Sequence, residues 1–196
     1  MKKRLFAAAA ACMLLLTSVM GFTASAEETK TDEEVQVIEW SDELLQSFAD
    51  EGFAGTIMTI DKLGLQLIVP DGLEQRQPTD EEKEKEGMIL VFENEDQSKK
   101  IEFVLGPIGD CQTLEDVQAF MAESFPDISV TPTKINEYDT LVYGSEETDS
   151  MAVLIGAGDA GFLRIIMSPV VDPEMNKLYS YVAASIQEIK EDETEK

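Results

Sequence analysis

Met151-Ala152-Val153-Leu154-Ile155-Gly156-Ala157-Gly158-Asp159-Ala160-Gly161-Phe162-Leu163-Arg164-Ile165-Ile166-Met167 is an apolar run, a glycine cluster and a second apolar run. Its middle matches G-x-G-x-x-G, and two structures compete for it. A dinucleotide fingerprint requires a helix directly after the glycines, because the helix N-terminus holds the pyrophosphate. Here the residues that follow, Phe162 onward, are strand-like. The glycines then serve a tight hairpin, in which positive φ angles are needed. The stretch predicts two antiparallel strands and no cofactor.

Working outward, the same alternation of short strands and turns continues. Residues 128–135 and 140–144 read as two more strands, with a turn at 136–139. Downstream, Asp172 caps and Pro173 opens a helix whose apolar stripe is Met175, Leu178, Tyr179, Val182, Ile186 and Ile189. Upstream, Thr113 caps a helix with Leu114, Val117, Phe120 and Met121 on one face, ending before Pro126. A hairpin joins 88–92 to 101–105 through residues 94–98. Thr79-Asp80-Glu81-Glu82 has capping-box spacing and predicts one or two exposed helical turns. Strands at 56–60 and 63–69 flank Asp61-Lys62, and Pro70-Asp71-Gly72 reads as a turn. Ser41 caps a first helix carrying Trp40, Leu44, Leu45 and Phe48 at near-helical spacing, stopped by Gly52. Short connections make the sheet mostly antiparallel. Three helices are expected to bury their stripes against it, giving an α+β fold, an α/β/α sandwich.

Four segments follow from this reading: a signal peptide (1–26), a flexible acidic lead-in (27–39), a single α+β domain (40–190) and a charged tail (191–196). Lys2, Lys3 and Arg4 form a positive n-region, an apolar run follows from Leu5, and Ala24-Ser25-Ala26 ends in the small residues a signal peptidase needs. Because the apolar stretch reaches Phe22, an uncleaved anchor is the alternative, a bilayer needing roughly 18–20 residues. Cys12 follows three alanines as in a lipoprotein box, but Met13-Leu14-Leu15-Leu16 continues the apolar run past it. The expected location is therefore exported, extracellular or associated with the cell envelope. Nucleic acid and nicotinamide cofactors are not expected there, nor is a membrane after cleavage.

Removing the first 26 residues leaves 12 bases against 40 acids, a formal charge of −28. Such a surface repels nucleic acid and anionic lipid and keeps the chain soluble. Histidine is absent, which excludes Ser-His-Asp and Cys-His catalysis and the usual zinc sites. Cys111 is the single cysteine after cleavage. It is flanked by Asp110, Glu115 and Asp116, whose charges oppose thiolate formation. The acids at 80–86 and 94–96 do not match the twelve-residue calcium loop. Glycoside hydrolysis needs two spaced carboxylates in a cleft, and no pair stands out; Trp40, Tyr138, Tyr143, Tyr179 and Tyr181 are scattered. No catalytic, cofactor-binding or metal-ligating residue is assigned, and no cofactor is expected.

Gly64-Leu65-Gln66-Leu67-Ile68-Val69-Pro70-Asp71-Gly72 resembles the opening strand and turn of PsbP-like domains. The hairpin that follows, the helix start at Thr113-Leu114-Glu115-Asp116-Val117, the turn and strand at 136–143, the 151–167 hairpin and the last helix with Ala183-Ala184-Ser185-Ile186 near its end fit the same order, over about residues 55–190. That superfamily holds an extrinsic photosystem subunit, a Ran-binding import factor and many exported bacterial proteins. The resemblance implies an α/β/α sandwich used for binding, generally without catalysis, and carries over no functional residue. The helix at 40–53 and the acidic insert at 81–86 depart from the pattern. The function expected is a non-catalytic binding or accessory domain acting through an envelope or extracellular protein. The alternative is an exported small-ligand or calcium-binding protein, with a carboxylate-based hydrolase third.

Overall fold

The computed structural model describes residues 35–189. The expected signal peptide, the tail and residues 27–34 of the lead-in lie outside them. The strands are β1 (Gln36–Ile38), β2 (Gly55–Ile60), β3 (Leu65–Pro70), β4 (Glu74–Arg76), β5 (Met88–Glu93), β6 (Lys100–Gly106), β7 (Val130–Ile135), β8 (Tyr138–Ser145), β9 (Ser150–Gly156), β10 (Phe162–Ser168) and β11 (Gln187–Glu188). The helices are α1 (Asp42–Asp50), α2 (Asp80–Glu86), α3 (Leu114–Ser124) and α4 (Pro173–Ala184).

The 151–167 stretch is a hairpin. β9 and β10 pair antiparallel from Gly156↔Phe162 to Met151↔Met167, across a single 3-10 turn at Gly158–Ala160. Gly161 has φ 91°, and a Cβ there would lie 2.7 Å from the Gly106 carbonyl oxygen, so the glycine is needed for a close backbone approach.

Two sheets form where one was expected. The larger runs β1-β7-β8-β9-β10-β6-β5-β4, and β11-β3-β2 forms a second. All pairs are antiparallel except β1 with β7. The main core fills the space between them: Leu65, Leu67 and Val69 of β3 face Phe92, Phe103, Val153 and Ile165 of the large sheet, with Tyr179 and Val182 of α4 completing it. On the other face of the large sheet, Val117 and Met121 of α3 cover Leu141, Leu154 and Phe162. The architecture is α+β, with one face of the large sheet covered by a mixed layer of helix and small sheet.

Local chemistry sets the helix ends. Ser41 accepts from the Leu44 N–H, and Thr79 and Thr113 each complete a capping box. The Asp172 carboxylate accepts from the Glu174 and Met175 N–H groups ahead of Pro173. These satisfy donors that a helix N-terminus otherwise leaves unpaired.

Several expectations are corrected. Residues 36–38, read as the end of a flexible lead-in, form β1, because Asn136 in the β7–β8 turn anchors the chain just after it by accepting from the Trp40 N–H at 2.6 Å. α1 packs its Leu44 and Phe48 on Ile68 and Tyr181, that is, on the small sheet and α4. α4 stops at Ala184 although Ile186 continues the 3.6-residue spacing, because the chain turns there to pair β11 with β3. Phe120, expected on the buried face of α3, is 40% exposed and stacks edge-on against Phe125. α2 buries no residue, in keeping with its nearly all-charged sequence.

Candidate functional site

The acidic clusters are used internally. Arg76 donates bidentately to Glu82 at 2.8 and 2.9 Å and to Glu93 at 2.9 Å, tying β4 to α2 and β5. That fork, followed by the Thr79 backbone N–H, lowers the Glu82 pKa to about 2. In the 94–98 loop, Asp96 accepts from the Ser98 N–H and Asn94 from the Lys99 N–H, so the loop is closed by its own side chains. Among the described residues no cluster of three or more His, Cys, Asp or Glu is placed to hold a metal ion. Cys111 is half-buried against the cluster beneath α3. Tyr179 and Tyr181 are buried, whereas Trp40, Tyr138 and Tyr143 are half-buried and dispersed over separate elements. Among the described residues no helix is long and apolar enough to cross a membrane.

Two surface features stand apart from this internal chemistry. The first is β2, which among the described residues is one of the two edge strands of the small sheet. It has six residues, Gly55-Thr56-Ile57-Met58-Thr59-Ile60, without charge or proline. An edge strand of this kind presents unpaired backbone N–H and C=O groups and lacks the lysines, prolines and bulges that usually blunt one. Ile57 is 52% exposed and lies in register with Ile68, on the face where α1 packs. Leu45 on α1 is 42% exposed. Acids bracket the strand: Asp50 precedes it, Asp61 follows it, and Asp71 donates its N–H to the Ala54 carbonyl at the strand's start. The sequence shows the strand but not that it is an edge.

The second feature is Arg164, central in β10 on the α3-side face of the large sheet. It is half-buried, and its Nε is fully buried with no hydrogen-bond acceptor among the described residues. A buried donor in that state costs about 1–3 kcal/mol, more when charged. Among the described residues it belongs to none of the ion pairs. Glu102, on the same face, interacts with Lys100, Glu86, Glu82 and Arg76 instead, and burial raises its pKa. Burial also raises the pKa of the Tyr143 hydroxyl, and the Arg164 charge pulls it partly back. A lone charge in the apolar run 162–167 was the legible signal for Arg164; its neighbours were not.

No family model matches the chain, and no curated protein does. Among solved structures it is similar to the solution structure of cyanobacterial PsbP (CyanoP) from Synechocystis sp. PCC 6803, at 16% identity and a TM-score of 0.46, covering 68% of this chain and 92% of that one. That protein is of the type the sequence resembles, and the likeness is one of architecture alone.

Proposed function

We propose that this protein is an exported, non-catalytic accessory domain that binds an extended segment of an envelope or extracellular protein along β2. The observation that carries this reading is the uncharged β2 edge, unpaired on its outer side among the described residues, with Ile57 exposed beside α1. Strand addition supplies main-chain hydrogen bonds, and side chains such as Ile57 supply selectivity. The acids at both ends of the strand and the formal charge of −25 on the whole chain favour a segment flanked by lysine or arginine. A stable complex would cover about 1,000 Å² or more, so α1 would share the interface. The export motif and the absence of histidine in the sequence are consistent with this role.

The test is crosslinking capture from the intact envelope with tagged protein, comparing the natural chain with Ile57→Lys and Thr59→Lys. Both variants should melt within about 0.5 kcal/mol of the natural chain, since exposed positions tolerate change. Loss of one captured protein in both variants, with protection of β2 amides from hydrogen exchange in its presence, supports the reading. Capture unchanged by both variants, or no captured protein, overturns it.

A further inference from the structure

We infer that β2 receives its partner antiparallel and in one phase, from a segment whose basic residues lie C-terminal to the added strand. This deepens the proposed strand addition and rests on it. The phase follows from three hydrogen bonds. The Ile68 N–H points away from β2, to the Ser185 hydroxyl at 2.8 Å. On the same side of β3, the Gly64 carbonyl accepts from the Ile189 N–H at 3.0 Å. In an antiparallel ladder the N–H and C=O of one residue point to the same side, and the side alternates along the strand. Ile57, in register with Ile68, therefore turns its own N–H and C=O outward, as do Gly55 and Thr59. Even-numbered residues turn to β3 instead, and the Ala54 carbonyl accepts from the Asp71 N–H at 2.9 Å.

Gly55, Ile57 and Thr59 are all exposed, and they share the face of the small sheet on which α1 packs Ile68. A partner residue opposite Ile57 exchanges both backbone hydrogen bonds with it and sets its side chain on that face. An aliphatic side chain suits the position, because the apolar surface of Ile57 lies directly across the pair. Charge then sets the direction. At the start of β2, Asp71 is held against Ala54, and Asp50 closes α1 just ahead; both are exposed. Among the described residues neither is in an ion pair, whereas Glu51 beside them pairs with Lys177. At the far end, Asp61 is followed at once by the exposed Lys62, which offsets it. The acidic end of the strand is thus its N-terminal end. An antiparallel segment, paired as β2 and β11 both pair with β3, meets that end with its C-terminal residues.

The experiment uses two end-blocked peptides of one composition, Thr-Thr-Val-Thr-Thr-Lys-Lys and Lys-Lys-Thr-Thr-Val-Thr-Thr. Each is titrated into the ¹⁵N-labelled natural chain at about 10 mM salt, where charges are weakly screened. The first should bind about two- to fivefold tighter, as one exposed ion pair allows, and Asp71→Asn should narrow the gap without abolishing binding. Hydrogen exchange should slow at the Gly55, Ile57 and Thr59 N–H groups and stay unchanged at Thr56 and Met58, which face β3. N-methylation of the valine nitrogen should abolish binding, whereas N-methylation of the threonine after it should spare binding. Protection of β2 with no preference for the first peptide, or loss of binding on methylating the threonine instead of the valine, overturns the inference and leaves strand addition standing. No protection of β2 by either peptide overturns both.

Discussion

Asn136 shows how much one residue holds in this protein. It sits in the two-residue β7–β8 turn with φ 50°, a left-handed conformation that asparagine tolerates better than most residues. Its Oδ1 accepts from the Trp40 N–H, and its Nδ2 donates to the Ala184 and Ile186 carbonyls at 3.0 and 2.6 Å. One side chain therefore joins the entry to α1, the turn and the end of α4. Asn136→Ala should lower stability by about 3 kcal/mol, combining lost hydrogen bonds with left-handed strain. Asn136→Gly should lose less, because glycine keeps the backbone; urea unfolding of the pair gives the order, and equal losses would remove the strain component. Glu102 is a second case at this scale. Burial raises its folded pKa above the ordinary value of 4.5, with Lys100 opposing. Above the folded pKa the native state holds a desolvated charge, and as pH falls through it the native state takes up a proton before the unfolded chain does. Glu102→Gln should therefore raise the melting temperature near neutral pH, with the difference fading toward pH 4.5. Thermal melts across that range check the sign.

At the scale of elements, the small sheet depends on the end of α4. β3 pairs with β2 along its whole length on one side, but with β11 only at Leu65 and Gln66 on the other. Beyond that point the Ile68 N–H finds its acceptor in the Ser185 hydroxyl at 2.8 Å, and the same hydroxyl donates to the Val182 carbonyl. A residue at the C-terminus of a helix thus completes the edge of a sheet. Ser185→Ala leaves the Ile68 donor buried and unpaired, and should cost about 1–3 kcal/mol. Denaturant unfolding with hydrogen exchange at Ile68 tests this, because faster exchange there distinguishes a lost partner from general destabilisation. Caps, turns and the 151–167 hairpin were legible because each is decided within a few residues. β1, β4 and β11 were not. Each is two or three residues long, without apolar alternation, and each forms because a neighbouring edge is present.

For the whole molecule, the charge imbalance is the dominant long-range term. Like charges spread over a compact surface repel, and the unfolded chain relieves that repulsion. Raising salt from about 10 to about 150 mM shortens the screening length from about 30 to about 8 Å. The melting temperature should rise by a few degrees; a fall would mean that attractive pairs such as Arg76 with Glu82 and Glu93 outweigh the net repulsion. The candidate sites were less legible than the fold. Arg164 is the one charge in the apolar strand 162–167, a signal the sequence reading passed over, and only its register against Leu154 and Val104 shows which apolar clusters flank it. Likewise, the residues of β2 predict a strand, while sheet order decides that it is an edge. The sequence by itself determined the α+β class, the antiparallel hairpins, the helix caps and the absence of histidine chemistry, because composition and local hydrogen bonding act over a few neighbouring residues. Tertiary structure alone decided the division into two sheets, the parallel β1, the early end of α4 and the surroundings of Arg164. Those depend on which distant backbone and side-chain groups meet, and no short window of sequence contains both partners.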